Sequence, residues 1–252
     1  MPLRRLMTKG LYNARDLGGF PTVEGYVTRY GVFVRSEAPC ELPEGDIDYL
    51  RNYGVTASMD FRSTGETVAR PSDLVKVMPY YHKPLFNEAA VVDADRKRKM
   101  PKPGSISWGQ QYISMAEESR QWAIDVLNIA AGNEGALLYH CTTGKDRTGL
   151  MSCYLLSIAG VAPADIIADY CVSQVYLEPV YARMRSGMMN LGDKDGKAPP
   201  MDDSFFRTLP ESMKTLIDYL TENYGGVVAY LHKIGVQEDT IEKLRARFLE
   251  NA

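Results

Sequence analysis

Along the chain, short apolar runs alternate with stretches whose apolar positions recur every three or four residues. Gly31-Val32-Phe33-Val34-Arg35 is β-branched and aromatic and predicts a short strand. Pro43 and Asp46 open a helix with Ile47, Leu50 and Tyr53 on one face, and Gly54 stops it. Val55 to Phe61 predicts a buried strand, and Val75 to Tyr81 a further one. Helices with Tyr112, Met115, Trp122, Val126 and Ile129 at apolar positions precede the strand Ala136-Leu137-Leu138-Tyr139, which ends at His140. Beyond it the pattern is helical. Leu150, Met151, Tyr154, Leu155 and Ile158 form one stripe closed by Gly160, and Pro163 with Asp165 starts the next helix. Thr208 with Glu211, and Asp239 with Glu242, have the spacing of capping boxes. Strand, helix, strand in this order predicts an α/β fold: a central, mainly parallel sheet flanked by helices, with a helical C-terminal part.

Two segments break the pattern. Asp93 to Ser107 carries Arg96, Lys97, Arg98, Lys99 and Lys102 among prolines and glycine, and reads as a mobile surface loop and a solvated charge run rather than a headgroup clamp. Gly187 to Pro200 reads as a second loop. No internal repeat or linker appears, so a single domain over 1–252 is expected. Composition adds exclusions. At 45% hydrophobic and 24% charged residues, disordered and fibrous classes drop out. A net charge of −3 argues against nucleic acid as the main partner. No apolar run approaches the roughly 18 residues of a spanning helix, and MPLRRLMTKG lacks the apolar stretch of a signal peptide. Four cysteines are too few for a disulfide scaffold. A cytoplasmic setting is expected, with export by a route lacking a signal peptide left open.

The informative stretch is His140-Cys141-Thr142-Thr143-Gly144-Lys145-Asp146-Arg147-Thr148-Gly149, between a buried strand and a helix. Helix N-termini offer unpaired N–H groups and a partial positive charge, which suit a phosphate. Gly144 permits the backbone angles that turn successive N–H groups inward. Cys141 at the start of such a cradle would be stabilised as thiolate, the nucleophilic form. Arg147 can hold two phosphoryl oxygens at once, and Thr148 can donate to the sulfur as it leaves. The backbone from Thr142 through Thr143, Gly144, Lys145 and Asp146 to Arg147 would bind substrate.

His-Cys, five residues and Arg form the signature loop of cysteine-dependent phosphatases. The fuller block HCTTGKDRTG resembles the atypical bacterial tyrosine and dual-specificity phosphatases, a family with phosphoinositide phosphatase members. Asn13-Ala14-Arg15-Asp16-Leu17-Gly18-Gly19, Val34-Arg35-Ser36, Met59-Asp60-Phe61-Arg62-Ser63 and the pattern from Tyr224 to Leu249 are also similar to that family, so the likeness covers nearly the whole chain. It implies the cysteine-dependent phosphatase fold and hydrolysis of phosphomonoesters through a cysteinyl-phosphate, with no cofactor and no metal. The implied substrates are phosphotyrosine, phosphoserine or phosphothreonine, or phosphoinositides, the last compatible with transient contact with acidic lipid. A catalytically silent phosphate-binding pseudophosphatase is the alternative, opposed by the intact Cys141, Arg147 and Thr148.

Other residues are read against this frame. A nucleotide P-loop is excluded because the upstream Gly and the following Ser or Thr are missing. Three histidines, His82, His140 and His232, are too scattered for a metal site, and His140 is expected to orient the loop. Lys145 suits a second cation for an acidic headgroup over a solvated side chain. Arg15, Asp16 and Arg35 are expected to brace the sheet edge by ion pairing. Cys153 and Cys171 are expected in the core and Cys40 in a loop. Two carboxylates compete as general acid. Asp60 ends a parallel strand, where such sheets place their sites, and its competing role is as a buried partner of Arg62 or Arg35. Asp146 lies inside the loop and is preferred for proximity.

Overall fold

The computed structural model describes residues 3–85, 107–186 and 206–252. Its N-terminal half holds strands β1 (Arg15–Asp16), β2 (Tyr26–Thr28) and β3 (Phe33–Ser36), helix α1 (Asp46–Tyr53), β4 (Val55–Asp60), α2 (Thr64–Ala69) and β5 (Tyr80–His82). Then come α3 (Trp108–Glu118), α4 (Arg120–Gly132), β6 (Ala136–His140), α5 (Asp146–Ala159), α6 (Pro163–Tyr176) and α7 (Glu178–Arg185). Helices α8 (Pro210–Tyr224), α9 (Val227–Ile234) and α10 (Glu238–Phe248) precede β7 (Leu249–Asn251). The main sheet has the order β1-β3-β6-β4-β5, parallel except for β1, and β2 pairs with β7 in a separate ribbon.

β6 shows why this sheet is central. All five of its residues are buried. Leu137 and Tyr139 face a layer shared with α3 to α6 and α8 to α10. Ala136 and Leu138 face a second layer with Leu50 of α1 and Leu74. Side chains alternate across a strand, so a strand buried on both faces reads as one continuous apolar run. The α/β architecture expected from the element order is the one observed. Helix α5, read as a one-sided stripe, is instead buried nearly all round, because sheet and helices enclose it.

Three local expectations need correction. Val75 to Tyr81 is not one strand: residues Asp73–Lys76 form a 3-10 turn capped by Ser72, whose Oγ accepts from Leu74 N, and the strand is confined to Tyr80–His82. Neither predicted capping box forms. Helix α8 starts at Pro210 with Leu209 as its cap, because proline suits the first helical position. Helix α10 has Gln237 at its cap position, with no side-chain capping bond, so Asp239 already lies in its first turn and pairs with Lys243. The basic segment from Asp93 and the loop from Gly187 to Pro200 fall outside the described residues, apart from Ser107. Among the described residues no helix is long and apolar enough to cross a membrane.

Candidate active site

β6 ends at His140 and α5 begins at Asp146, so Cys141 to Lys145 form the turn between a buried strand and a helix N-terminus. The carbonyls of this turn are tied away from its centre. Ala38 N donates to Thr142 O at 3.2 Å, Asn13 Nδ2 to Thr143 O at 3.0 Å, and Arg35 Nη2 to Gly144 O at 2.8 Å. In a planar trans peptide C=O and N–H point oppositely. The N–H groups of Thr143, Gly144 and Lys145 therefore point away from those partners. Gly144 has φ +70°, and a Cβ there would sit 2.3 Å from Ser36 O. Only glycine fits so close to the β3 backbone.

The residues holding the carbonyls are themselves locked. Asp169 of α6 binds Arg15 Nε at 2.8 Å and Arg35 Nη1 at 2.6 Å, with all three side chains out of solvent. Burial raises the Asp169 pKa, but the two guanidiniums outweigh it and hold the carboxyl below its usual value. Arg15 also donates to Asn13 Oδ1 at 2.6 Å, orienting the amide that holds the loop. Buried Glu37 accepts from the backbone N–H groups of Tyr12 and Asn13. Asp16 accepts from Gly18 N, Gly31 N and Tyr53 Oη. The ion-pair bracing expected of Arg15 and Arg35 is present, but Asp169, which was not foreseen, supplies the carboxylate, while Asp16 holds backbone N–H groups and Tyr53 instead.

Arg147, on the first turn of α5, reaches Glu66. Nη1 donates to Oε2 at 2.7 Å and Nη2 to Oε1 at 2.8 Å, and Nη2 also donates to Thr142 Oγ1 at 3.2 Å. Thr142 Oγ1 donates to Glu66 Oε1. Burial raises the Glu66 pKa, yet the Arg147 and Thr142 bonds outweigh it and set it at about 2. Glu66 is fixed from behind by a capping box at the start of α2: Glu66 N donates to Ser63 Oγ, and Ser63 N to Glu66 Oε2. Sequence reasoning missed Glu66, although Ser63-Thr64-Gly65-Glu66 has the capping-box spacing.

The two candidate acids occupy different surroundings. Asp60 is fully buried, receives Arg62 Nε and Nη2 (the latter at 2.7 Å) and accepts from Tyr80 Oη at 2.6 Å. Burial raises its pKa, but the cationic and hydroxyl partners hold it far below the usual carboxylate range. His140, beside it in the sheet register, has Nδ1 3.6 Å from Asp60 Oδ1, too long for a hydrogen bond. Burial lowers the His140 pKa to about 4 against the pull of Asp60, so near neutral pH the imidazole is uncharged. There the Asp60 carboxylate is held by Arg62 and Tyr80. Asp146 keeps 15% of its side-chain surface exposed. Its Oδ1 accepts from Tyr112 Oη at 2.6 Å and lies 3.8 Å from Lys145 Nζ.

Lys145 is not solvated. Its side chain is 1% exposed, with Nζ 4.7 Å above the Trp108 ring and donating to Arg207 O at 3.1 Å. Trp108 and Tyr112 thus approach consecutive loop residues from one face of α3. Cys141 is 2% exposed. Thr148 is fully buried, and its Oγ1 has no hydrogen-bond partner among the described residues. Cys153 is buried in the core and its thiol is pushed up to about 12 by burial; Cys171 packs against that core, half-buried. Cys40 Sγ donates to Arg70 O and accepts from Arg62 Nη1. All four thiols are free. Among the described residues no cluster of three or more His, Cys, Asp or Glu could hold a metal ion.

Cys141 thus opens the turn that leads into α5, and Arg147 on the first turn of that helix is paired with Glu66. Residues 6–250 match the tyrosine phosphatase family, and the chain belongs to it. It is a hydrolase of the protein-tyrosine/dual-specificity phosphatase class. A tyrosine-protein phosphatase of Nostoc commune is 32% identical over 223 residues, which cover 85% of this chain and 73% of that protein. The triple specificity protein phosphatase PtpB of Mycobacterium tuberculosis is 26% identical over 275 residues, covering 95% and 97%.

Proposed function

We propose that the chain hydrolyses phosphotyrosine in two steps at one catalytic domain spanning 1–252, with Cys141 as nucleophile. The thiolate attacks phosphorus; an S–P bond forms as the P–O bond to the leaving oxygen breaks, and Asp146 gives that oxygen its proton. Water then attacks the cysteinyl-phosphate, Asp146 takes back a proton, and inorganic phosphate departs as the thiolate is restored. Arg147 clamps two phosphoryl oxygens while the N–H groups of Thr143 to Lys145 hold the third. Thr148, whose hydroxyl has no partner among the described residues, donates to the departing sulfur. His140, uncharged, packs the loop against β4.

The observation that carries this reading is the set of carbonyl ties from Ala38, Asn13 and Arg35, which leaves the amides of the turn pointing to its opposite side. The acid is assigned to Asp146 because Asp60 is held as an anion by a buried guanidinium, and an anion has no proton to give. The free thiols fit a reducing, cytoplasmic setting. The test is Cys141→Ser assayed on p-nitrophenyl phosphate with and without EDTA. Turnover is expected to vanish while inorganic phosphate still binds, and the unsubstituted enzyme to be indifferent to EDTA. A metal requirement, or activity in the serine variant, overturns the mechanism.

A wider substrate range has support of its own. Lys145 places a second cation next to Asp146 and Arg147, and the name of the mycobacterial relative speaks of three specificities. Phosphoserine peptides and phosphoinositides are therefore further substrates in this reading. Assayed beside phosphotyrosine peptides, phosphoinositides should lose more than phosphotyrosine on Lys145→Ala. Phosphotyrosine turnover alone, unchanged by that substitution, removes the lipid role.

A further inference from the structure

Helix α3 meets the loop at two points, and the second has the geometry of a proton-controlling contact. Tyr112 is fully buried. Its hydroxyl donates to Asp146 Oδ1 at 2.6 Å and lies 3.0 Å from the Tyr170 hydroxyl of α6. The Tyr112 and Tyr170 rings meet edge to face with centroids 5.7 Å apart, so packing holds the phenol in place. We propose that Tyr112 is a positioning residue for Asp146, reserving Oδ1 as an acceptor so that the transferable proton sits on Oδ2. This rests on the reading of Asp146 as the general acid.

The groups facing Asp146 are Tyr112 from α3, Tyr170 from α6, Tyr181 from α7, and Lys145 and Arg147 on either side of it in sequence. Burial, reinforced by Asp146, keeps the Tyr112 phenol well above its ordinary pKa, so it stays a donor and is no acid itself. A neutral donor differs from the guanidinium on Asp60. Its bond to a carboxylate is weaker than a charge-assisted one. Tyr112→Phe withdraws a hydrogen bond that the carboxylate accepts, so the basic limb of the pH–rate profile should move upward. Loose packing alone would depress the rate on every substrate and leave the limb where it was.

The experiment compares Tyr112→Phe, Asp146→Asn and the double variant on phenyl phosphate and p-nitrophenyl phosphate across pH. Tyr112→Phe is expected to lose about tenfold on phenyl phosphate and under about threefold on the activated ester, with the limb raised by at least about half a unit. In the Asn background the Phe substitution should add nothing further. Equal losses on both esters with an unmoved limb overturn the proposal while Asp146→Asn still shows leaving-group dependence. If Asp146→Asn shows none, the acid assignment fails and the proposal with it. Should the Phe variant not fold, the hydrogen–deuterium isotope shift on the Asp146 carboxyl carbon of the unsubstituted enzyme reads the Tyr112 bond directly, and its absence is equally decisive against it.

Discussion

On the carbonyl side of the loop, Arg15, Arg35 and Asp169 are paired with one another and shut away from water. On the side of Arg147, the guanidinium keeps 20% of its side-chain surface, Glu66 keeps 34% and Asp146 keeps 15%. The first group is buried and pinned by its ion pairs, so it holds the backbone. The second, in the proposed mechanism, has partners that a phosphoryl group would replace. On that reading, rigid charge behind and exchangeable charge in front let one short loop combine a fixed cradle with turnover. Mutations behind should cost stability, and mutations in front should cost rate.

The largest effect is expected behind the loop. Asp169→Ala strands two buried guanidiniums and should lower stability by about 3–5 kcal/mol, read as the midpoint of denaturant unfolding. Glu37 is the next lever. Burial raises its pKa to about 7, above the ordinary 4.5. A group with a raised folded pKa contributes stability below its unfolded value and loses it as pH rises through the folded one. Stability should therefore fall by roughly 3 kcal/mol between pH 4.5 and 7, and Glu37→Gln should flatten that slope. In front, Arg147→Lys keeps the charge but not the fork, and kcat should drop at least about a hundredfold with the melting temperature little changed. Glu66→Gln frees the fork without removing it. About a tenfold loss in kcat is expected, smaller than for Arg147→Lys. If Arg147→Lys unfolds the protein, or Asp169→Ala only slows it, the division between the two sides does not hold.

The division was only half legible in the sequence. Strand β6 runs apolar from Ala136 to Tyr139, and the block from His140 to Gly149 follows it directly, so the fold and the family's signature loop could be read locally. The partners could not. Glu66 lies 81 residues from Arg147, Asp169 134 from Arg35, and Tyr112 34 from Asp146. No periodicity links such positions; only the folded sheet brings them together. For Asp60 the sequence left catalysis and a pairing with Arg62 or Arg35 both open, and in the fold Arg62, two residues on, binds its carboxylate. The helix starts misread at Thr208 and Asp239 have a local cause. Pro210 set one start by its missing N–H, and an uncapped turn at Gln237 set the other.

The most direct test is to catch the intermediate. Enzyme mixed with phosphotyrosine peptide, quenched in acid within the first turnover and digested, should carry one phosphoryl group on the peptide containing Cys141, labile as a thiophosphate ester is, with none in Cys141→Ser. A phosphoryl group on another residue, or full turnover with Cys141 never modified, would contradict the account.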